Sequence, residues 1–349
     1  MIHQIPIRIH PHHRFNSILT WLFVFLLPLF VSAQHTVQSE SQVKTDPIGD
    51  TYLRVDGIRM HFLIRGQGKP VVLIHGNPGF LQDYSLTVFD RLATTFKTIA
   101  YDRPGHGLSN RGNRYFSSLK GQAKLLHDAM LQLGVEKPIL VGHSWGGSLA
   151  LCYALQYPKE ISGMVLLAPS AFPDSHGNLL ESAIAHTPVL GTVLIRALKP
   201  LVIHEINAGL RSSFFPRPVP EYYKNLADKI WSSPNRLKSY IFDSLALRKA
   251  LNQISNRYGE IRTPVTIISG VQDQVVGYKT DAVPLHDAIN GSRLITLSAT
   301  GHAIQYENPR VVVDAVIAMH ELTLCHHFST HEQGEMLDST SRTTSAFSN

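Results

Sequence analysis

Apolar and polar residues follow two different periods along the middle of the chain. Between residues 51 and 322, short continuous apolar runs are separated by segments in which apolar residues recur every three or four positions. Continuous apolar runs are typical of strands buried on both faces, whereas the longer spacing is typical of amphipathic helices. Because a helical pattern precedes or follows nearly every run, the sequence predicts an α/β fold, with a mostly parallel sheet covered by helices on both faces.

Eight strands are predicted for this sheet. The first two, 52–55 and 60–64, flank Asp56-Gly57, a dipeptide that favours two-residue hairpin turns, so we expect the sheet to begin with an antiparallel pair. The other six are short apolar runs at 71–74, 98–100, 139–141, 164–167, 265–268 and 294–297. An eight-stranded sheet therefore accounts for all of the apolar runs of this kind.

One connection between these strands is much longer than the others. About ninety residues separate the runs at 164–167 and 265–268, which is too long for a structureless loop. Apolar residues recur at helical spacing in 179–201 and 222–251. We therefore predict a helical cap at 171–258, inserted into a core formed by 51–170 and 259–322. The cap holds 11 Lys and Arg against 6 Asp and Glu, a net +5 that suits either an anionic substrate or an ordinary solvated helical surface.

The two ends of the chain differ from its middle. Residues 1–33 have the features of a signal peptide, with Arg8 and Arg14 before an apolar stretch at 18–31 and small residues before a cleavage site after Ala33. An uncleaved anchor, which would associate the protein with a membrane, and a buried helix are the alternatives. Residues 34–50 are expected to be a linker, and the polar residues 323–349 a disordered tail. We therefore expect an exported protein, periplasmic or secreted.

Composition excludes several classes of protein. A chain of 349 residues can bury a large core, and two cysteines, Cys152 and Cys325, cannot form a disulfide framework. We expect these two to remain unpaired. The charge of +6 falls to +4 when the two arginines of 1–33 are removed, which is too weak to indicate nucleic-acid binding. The oligomeric state has no signal in the sequence.

The chain also lacks the usual motifs for cofactors and metals. No G-x-G-x-x-G follows a strand, and no phosphate-binding loop, H-E-x-x-H or paired C-x-x-C is present. His75, His106 and His143 each adjoin a glycine turn without the spacing of metal ligands, which favours structural roles. We expect neither a metal nor another cofactor.

A candidate nucleophile follows the predicted strand 139–141. Residues 142–146 read Gly-His-Ser-Trp-Gly and fit G-x-S-x-G, with a helical run directly after them. A sharp turn between strand and helix requires small residues around the serine, so that its hydroxyl projects above the sheet. This placement makes Ser144 the predicted nucleophile.

A serine that attacks a carbonyl requires a base and an acid that orients the base. His302 lies in a short loop after the last predicted strand, and Asp273 lies just past the strand 265–268. The chain order Ser144, Asp273, His302 is the order found in α/β-hydrolases. Asp174, which follows the preceding strand, is the alternative acid.

The reaction also needs donors for an oxyanion and walls for a substrate. The loop at 75–79 follows the strand 71–74, so the backbone N–H groups of Asn77 and Trp145 are predicted to form the oxyanion hole. Aromatic residues of the cap are candidates for the walls of the substrate pocket: Phe172, Tyr222, Tyr223 and Trp231.

Five short motifs lie at the ends of the predicted strands: HGNPG at 75–79, DRPGHG at 102–107, GHSWGG at 142–147, VQD at 271–273 and TGH at 300–302. Together they resemble the α/β-hydrolase superfamily over residues 51–322, and this resemblance implies that fold. HGNP and the tryptophan after the nucleophile are similar to haloalkane dehalogenases and epoxide hydrolases, which use an aspartate where this chain has Ser144. Because a serine attacking a saturated carbon would give an inert ether, we expect acyl transfer instead.

The same motifs are also similar to those of proline iminopeptidases. Asn77 replaces a glycine of the usual HGGPG, and the cap is basic overall despite acids such as Glu205 and Glu221. The preferred interpretation is therefore a carboxylesterase that acts on a small-molecule ester through an acyl-enzyme. The alternatives are a proline iminopeptidase-like aminopeptidase, a carbon–carbon bond hydrolase or carrier-bound acyl methyl esterase, and a binding module without catalysis.

Overall fold

The computed structural model describes residues 44–45, 50–173, 197 and 199–325. The predicted signal peptide, the alternative acid Asp174 and the tail from residue 326 lie outside these ranges, as do most of the linker and residues 174–196 of the cap. The described strands form one sheet. In chain order they are β1 Lys44–Thr45, β2 Asp50–Val55, β3 Ile58–Arg65, β4 Pro70–Ile74, β5 Lys97–Tyr101, β6 Ile139–His143, β7 Gly163–Leu167, β8 Val265–Gly270 and β9 Arg293–Leu297.

The sheet has the order β1-β2-β3-β5-β4-β6-β7-β8-β9. Strands β2 to β9 confirm the eight predicted strands, and the two-residue β1 adds a short edge. Pairings from β1 through β3 to β5 are antiparallel, whereas those from β5 onward are parallel. The hairpin turn between β2 and β3 forms as predicted, with φ of 48° at Asp56 and 77° at Gly57, because its turn type requires two positive φ angles.

Helices connect most of these strands. Their bounds are α1 Gln82–Ser85, α2 Phe89–Ala93, α3 Leu119–Gln132, α4 Trp145–Gln156, α5 Lys199–Phe214, α6 Glu221–Trp231, α7 Pro234–Ile254, α8 Val283–Ala288 and α9 Ile304–Glu307, followed by helical residues 309–325. Shorter turns of 3₁₀ type lie at Arg114–Ser117 and Ser255–Glu260, and one of π type lies at Tyr278–Ala282. None of the described helices is both long and apolar enough to span a membrane.

Apolar side chains fill both faces of the sheet. In β4 they alternate, because successive side chains of a strand point to opposite faces. Val72 and Ile74 pack in the cluster that includes apolar residues of α3 and α4, while Val71 and Leu73 pack with α2 and the helical residues 309–325. Burial on both faces explains why the central strands are continuous apolar runs.

Three of the described helices lie between β7 and β8, namely α5, α6 and α7, all within the predicted cap. Their apolar faces form a third cluster, which includes Phe214, Tyr223 and Trp231 and which is completed by Phe80 and Ala303 from outside the cap. Phe80 follows β4 and Ala303 follows β9. The cap helices therefore pack against the loops at the carboxyl ends of the parallel strands, where ligands of open α/β sheets bind.

Candidate active site

The sharp turn predicted around Ser144 connects β6 to α4. Ser144 has φ of 53° and ψ of −118°, a conformation that is strained for a residue with a Cβ. Its N–H donates to the Leu167 carbonyl of the neighbouring strand at 2.9 Å, which helps to hold the turn. The flanking glycines are required by close packing, since a Cβ on Gly142 would clash with the Gly146 carbonyl and one on Gly146 would clash with the Ile74 carbonyl.

The predicted base and acid are in contact. Nδ1 of His302 lies 2.7 Å from Oδ2 of Asp273, and both side chains are buried. The other carboxylate oxygen of Asp273 accepts hydrogen bonds from the N–H groups of Val275 at 2.7 Å and Val276 at 2.9 Å. Burial alone would raise the pKa of Asp273, but its electrostatic interaction and hydrogen bond with His302 and these backbone hydrogen bonds lower the pKa below its ordinary value. The carboxylate is therefore ionised and able to orient the imidazole.

The backbone of His302 is held by Ser213, which the sequence did not point to, and by His143, for which a structural role was predicted. The carbonyl of Ser213, near the end of α5, accepts hydrogen bonds from the N–H groups of His302 at 3.0 Å and Ala303 at 2.9 Å. Nε2 of His143 lies 2.9 Å from the His302 carbonyl and donates to it. Burial lowers the pKa of His143 to about 3, so this ring is neutral.

The two N–H groups predicted to bind an oxyanion are those of Asn77 and Trp145. Asn77 lies in the loop after β4, and Trp145 is the first residue of α4, where N–H groups lack partners within the helix. Among the described residues, neither N–H has a hydrogen-bond acceptor. The side chain of Asn77 donates to the Tyr240 carbonyl at 3.1 Å and to Ser244 at 3.0 Å, which fixes this loop to α7.

Ser144 and His302 line the same cavity, which is partly open to solvent and has a volume of about 150 Å³. Within the described ranges no hydrogen bond joins their side chains, a common situation in unliganded sites, where such contacts tighten when substrate binds. Of the four predicted wall residues, Tyr223 lines the cavity. Tyr222 is exposed, Trp231 is buried in the cap cluster, and Phe172 packs against Tyr258. Those three lie away from the cavity wall.

The cavity wall includes a carboxyl group that the sequence analysis did not single out. Asp83, in α1, is buried and accepts a hydrogen bond from the Tyr223 hydroxyl at 2.9 Å. Burial raises the pKa of Asp83 to about 7, despite that bond and one from the Phe80 N–H. Its position four residues after the HGNPG motif gave no signal, because a single acid in a short helix is usually solvated.

A buried charge cluster lies beside the cavity and was also missed. Asp243 of α7 is buried, and its carboxylate contacts Arg103 at 2.8 Å, His106 at 3.0 Å and Arg111 at 3.1 Å. Although burial would raise it, the pKa of Asp243 falls to about 2 because of these partners. The sequence did hold one signal for this cluster, because Asp243 falls among the apolar positions of a predicted cap helix. In the part of the chain that the structure describes, no group of His, Cys, Asp or Glu side chains is arranged to hold a metal ion.

The chain is similar to known proteins in both sequence and structure. The sequence model of the alpha/beta hydrolase fold family matches residues 69–309, which include all five motifs. An esterase from Exiguobacterium antarcticum has a similar structure, with a TM-score of 0.64, 22% sequence identity, and coverage of 76% of this chain and 97% of the esterase. At that identity the likeness concerns the fold.

Two relatives are similar in sequence. A cis-3-alkyl-4-alkyloxetan-2-one decarboxylase of Shewanella oneidensis is 36% identical over 182 residues, which cover 51% of this chain and 57% of the decarboxylase. The match therefore spans little more than half of that relative. A monoacylglycerol lipase of Xenopus laevis is 27% identical over 257 residues, covering 71% of this chain and 76% of the lipase.

Proposed function

The chain belongs to the α/β hydrolase family, and from that premise we propose that it is a serine hydrolase that cleaves a carboxylic ester through an acyl-enzyme. The observation that carries the proposal is the cavity shared by Ser144 and His302, with Asp273 bonded to the far side of the imidazole. A nucleophile, a base and an orienting carboxylate in this arrangement are what acyl transfer requires.

Each group has a defined role in the proposed reaction. Nε2 of His302 accepts the proton of Ser144 as Oγ attacks the ester carbonyl, and the ionised Asp273 stabilises the imidazolium that forms. The N–H groups of Asn77 and Trp145 donate to the developing oxyanion. His302 then protonates the leaving alcohol and activates the water that releases the acid.

The lipase relative supports acyl chemistry on an ester carbonyl, whereas the decarboxylase shares only an ester group in its substrate, since its reaction is the loss of carbon dioxide. A monoacylglycerol is an ester, and an oxetan-2-one is a four-membered cyclic ester, so the compounds named for the two relatives contain the same functional group. Ser144 is suited to that group, because it can form a hydrolysable acyl ester, whereas its attack on a saturated carbon would end in an ether.

The size of the cavity bears on the acyl group. A cavity of about 150 Å³ accommodates a molecule of roughly the size of benzene. Leu210 and Phe214 of α5 line it, and they offer an apolar surface to a short hydrocarbon chain. We therefore propose that the preferred acyl groups are short, with about four to six carbons.

Hydrolysis of p-nitrophenyl esters from acetate to laurate tests the proposal. We expect turnover that is highest for the short esters and that falls at least about a thousandfold in Ser144→Ala. Ser148→Ala is the matched control, because Ser148 lies one turn further along α4 and bonds to the Ser170 carbonyl instead of lining the cavity. Equal turnover by Ser144→Ala and the unmodified chain would contradict the proposal.

A second candidate function is an aminopeptidase that uses the same three groups. Asp83 favours it, since a carboxylate in the cavity wall can hold the free amino terminus of a substrate. Aminoacyl-naphthylamides with free and acetylated amines separate the two functions. Turnover that is confined to the free amines and is lost in Asp83→Asn would indicate that the protein is an aminopeptidase.

A further inference from the structure

Arg103 lies directly behind the loop that holds one proposed oxyanion donor. It follows β5, and its side chain is fully buried. Nη2 donates to the Gly76 carbonyl at 2.9 Å, Nε donates to the His75 carbonyl at 3.2 Å, and the backbone N–H of Arg103 donates to Nε2 of His75 at 2.9 Å. Arg103 therefore binds both residues that immediately precede Asn77.

The bond to Gly76 fixes the direction of the Asn77 N–H. The Gly76 carbonyl and the Asn77 N–H belong to one planar peptide group, which is trans, so the two point in opposite directions. A guanidinium that holds the carbonyl on one side therefore aims the N–H at the other side. Nδ1 of His75 bonds to the same carbonyl at 2.9 Å, so two donors fix this peptide plane.

The same guanidinium also contacts the side chain of Trp145, whose backbone N–H is the second proposed oxyanion donor. Its central carbon lies 3.9 Å from the centre of the Trp145 ring, a cation–π distance. Nε1 of Trp145 donates to the Asp243 carbonyl at 3.2 Å. Arg103 is thus packed between the loop of Asn77 and the first residue of α4.

Asp243 and Gln122 fix the orientation of the guanidinium. Nη1 of Arg103 donates to Asp243 at 2.8 Å and to Gln122 at 3.1 Å. A buried guanidinium needs a carboxylate and a full set of acceptors, because an unpaired buried charge is strongly unfavourable. Since arginine presents its donors in a rigid planar fork, these contacts determine where Nε and Nη2 lie.

We propose that Arg103 is a positioning residue that sets the geometry of the oxyanion hole, with Asp243 of the cap holding it in place. This inference rests on the proposed function, because it concerns the two N–H groups that stabilise the tetrahedral intermediate. Arg103 does not line the cavity. It acts through the Gly76–Asn77 peptide plane and the Trp145 ring, which it holds in fixed positions before substrate binds.

Arg103→Lys tests the inference, because lysine keeps the charge and loses the fork. The full chain is assayed on p-nitrophenyl butyrate, and an alkyl boronic acid serves as an analogue of the tetrahedral intermediate. We expect kcat to fall about 10- to 100-fold with little change in KM, and the inhibition constant of the boronic acid to rise by a similar factor. A role confined to stability would lower the melting temperature without this separation of kcat from KM.

Arg111→Lys is the matched control. Arg111 also binds Asp243, and it contacts Ser117 rather than the loop of Asn77. Arg111→Lys should keep the kcat of the unmodified chain. A folded Arg103→Lys with unchanged kcat would overturn the inference, as would equal losses of kcat in the two variants.

Two further variants keep the outcome decisive. If Arg103→Lys does not fold, Gln122→Ala replaces it. This variant removes a neutral acceptor of Nη1 and an amide that donates to Asp243 at 3.2 Å, and it keeps both charged partners of the ion pair. We then expect a fall in kcat of about threefold to tenfold, and an unchanged kcat would overturn the inference.

Ser144→Ala distinguishes a failure of the proposed function from a failure of the positioning role. Turnover that survives in Ser144→Ala contradicts the proposed function, whereas turnover that depends on Ser144 but not on Arg103 contradicts the positioning role alone.

Discussion

Ser144 combines a reactive position with an unfavourable backbone conformation. A φ of 53° with a ψ of −118° suits glycine, and a residue with a Cβ held there costs roughly 1–3 kcal/mol. The surrounding contacts impose this geometry, because the Gly142 and Gly146 backbones pack too closely for the turn to relax. This conformational strain is therefore located at the one position where the hydroxyl has to project above the sheet.

Ser144→Gly should therefore stabilise the protein while it abolishes turnover. Removing the Cβ relieves the strain, and we expect the free energy of unfolding to increase by about 1 kcal/mol. Ser144→Ala, which keeps the Cβ, should not gain this increment. Urea denaturation of the three proteins measures the difference, and a Ser144→Gly variant no more stable than Ser144→Ala would show that the turn is not strained.

Asp83 gives the stability of the protein a specific pH dependence. Its pKa of about 7 in the folded chain lies above the value of 3.8 expected when the chain unfolds. Between these values the folded state keeps the proton that the unfolded state has lost. Raising the pH through this range therefore favours unfolding, and the penalty is complete above about pH 7.

Asp83→Asn removes this penalty. Its stability relative to the unmodified chain should rise by about 3 kcal/mol between pH 5 and pH 8, since each pKa unit corresponds to about 1.4 kcal/mol. Tyr223→Phe removes the hydroxyl that binds the ionised carboxylate and so raises the pKa of Asp83 further, which should extend the loss of stability to higher pH. Denaturant unfolding at several pH values tests both variants. Parallel profiles for Asp83→Asn and the unmodified chain would rule out a raised pKa at Asp83.

At the scale of elements, the cap helix α5 helps to hold the loop of the predicted base. The Ser213 carbonyl binds the N–H groups of His302 and Ala303, and the backbone of Gly301 lies against the Phe215 carbonyl. The sequence predicted a helical cap from apolar spacing, but it contained no sign of these contacts. These contacts join backbone groups of residues almost ninety positions apart. Backbone groups are the same in nearly all residue types, so such contacts cannot be predicted from the sequence pattern.

Gly301→Ala tests this support. The added Cβ would collide with the Phe215 carbonyl, so the segment that carries His302 has to shift. We expect kcat to fall by at least about tenfold, because small displacements of a catalytic group are costly, and stability to fall by about 1–3 kcal/mol. Gly259→Ala is the control, since its Cβ would meet only an ordinary contact at 3.7 Å. An active, stable Gly301→Ala would contradict the account.

At the scale of the whole molecule, the strand pattern was predicted more completely than the site. All eight predicted strands form, because burial on both faces leaves a continuous apolar run that is readable in the sequence. The Asp56-Gly57 turn was predicted for a similarly local reason. Contacts of Arg103 with Asp243 and of Asp83 with Tyr223 were not predicted, since each pair is 140 residues apart and depends on how the cap packs.

The predicted export of the protein concerns residues outside the described ranges. If residues 1–33 are a signal peptide, the mature protein should begin at Gln34 and be recovered from the periplasm or the medium of a bacterial expression host. Intact mass and amino-terminal sequencing of the recovered protein measure this directly. A full-length chain in the membrane fraction would instead support the uncleaved anchor.

The central claim is that the ester is cleaved through an acyl group on Ser144. The most direct measurement is mass spectrometry of the protein quenched during turnover of p-nitrophenyl butyrate, followed by digestion to locate the modification. We expect one butyryl group on the peptide that contains Ser144, which is lost when the ester is exhausted and never forms in Ser144→Ala. Butyrylation at another residue, or turnover by Ser144→Ala at the rate of the unmodified chain, would contradict it.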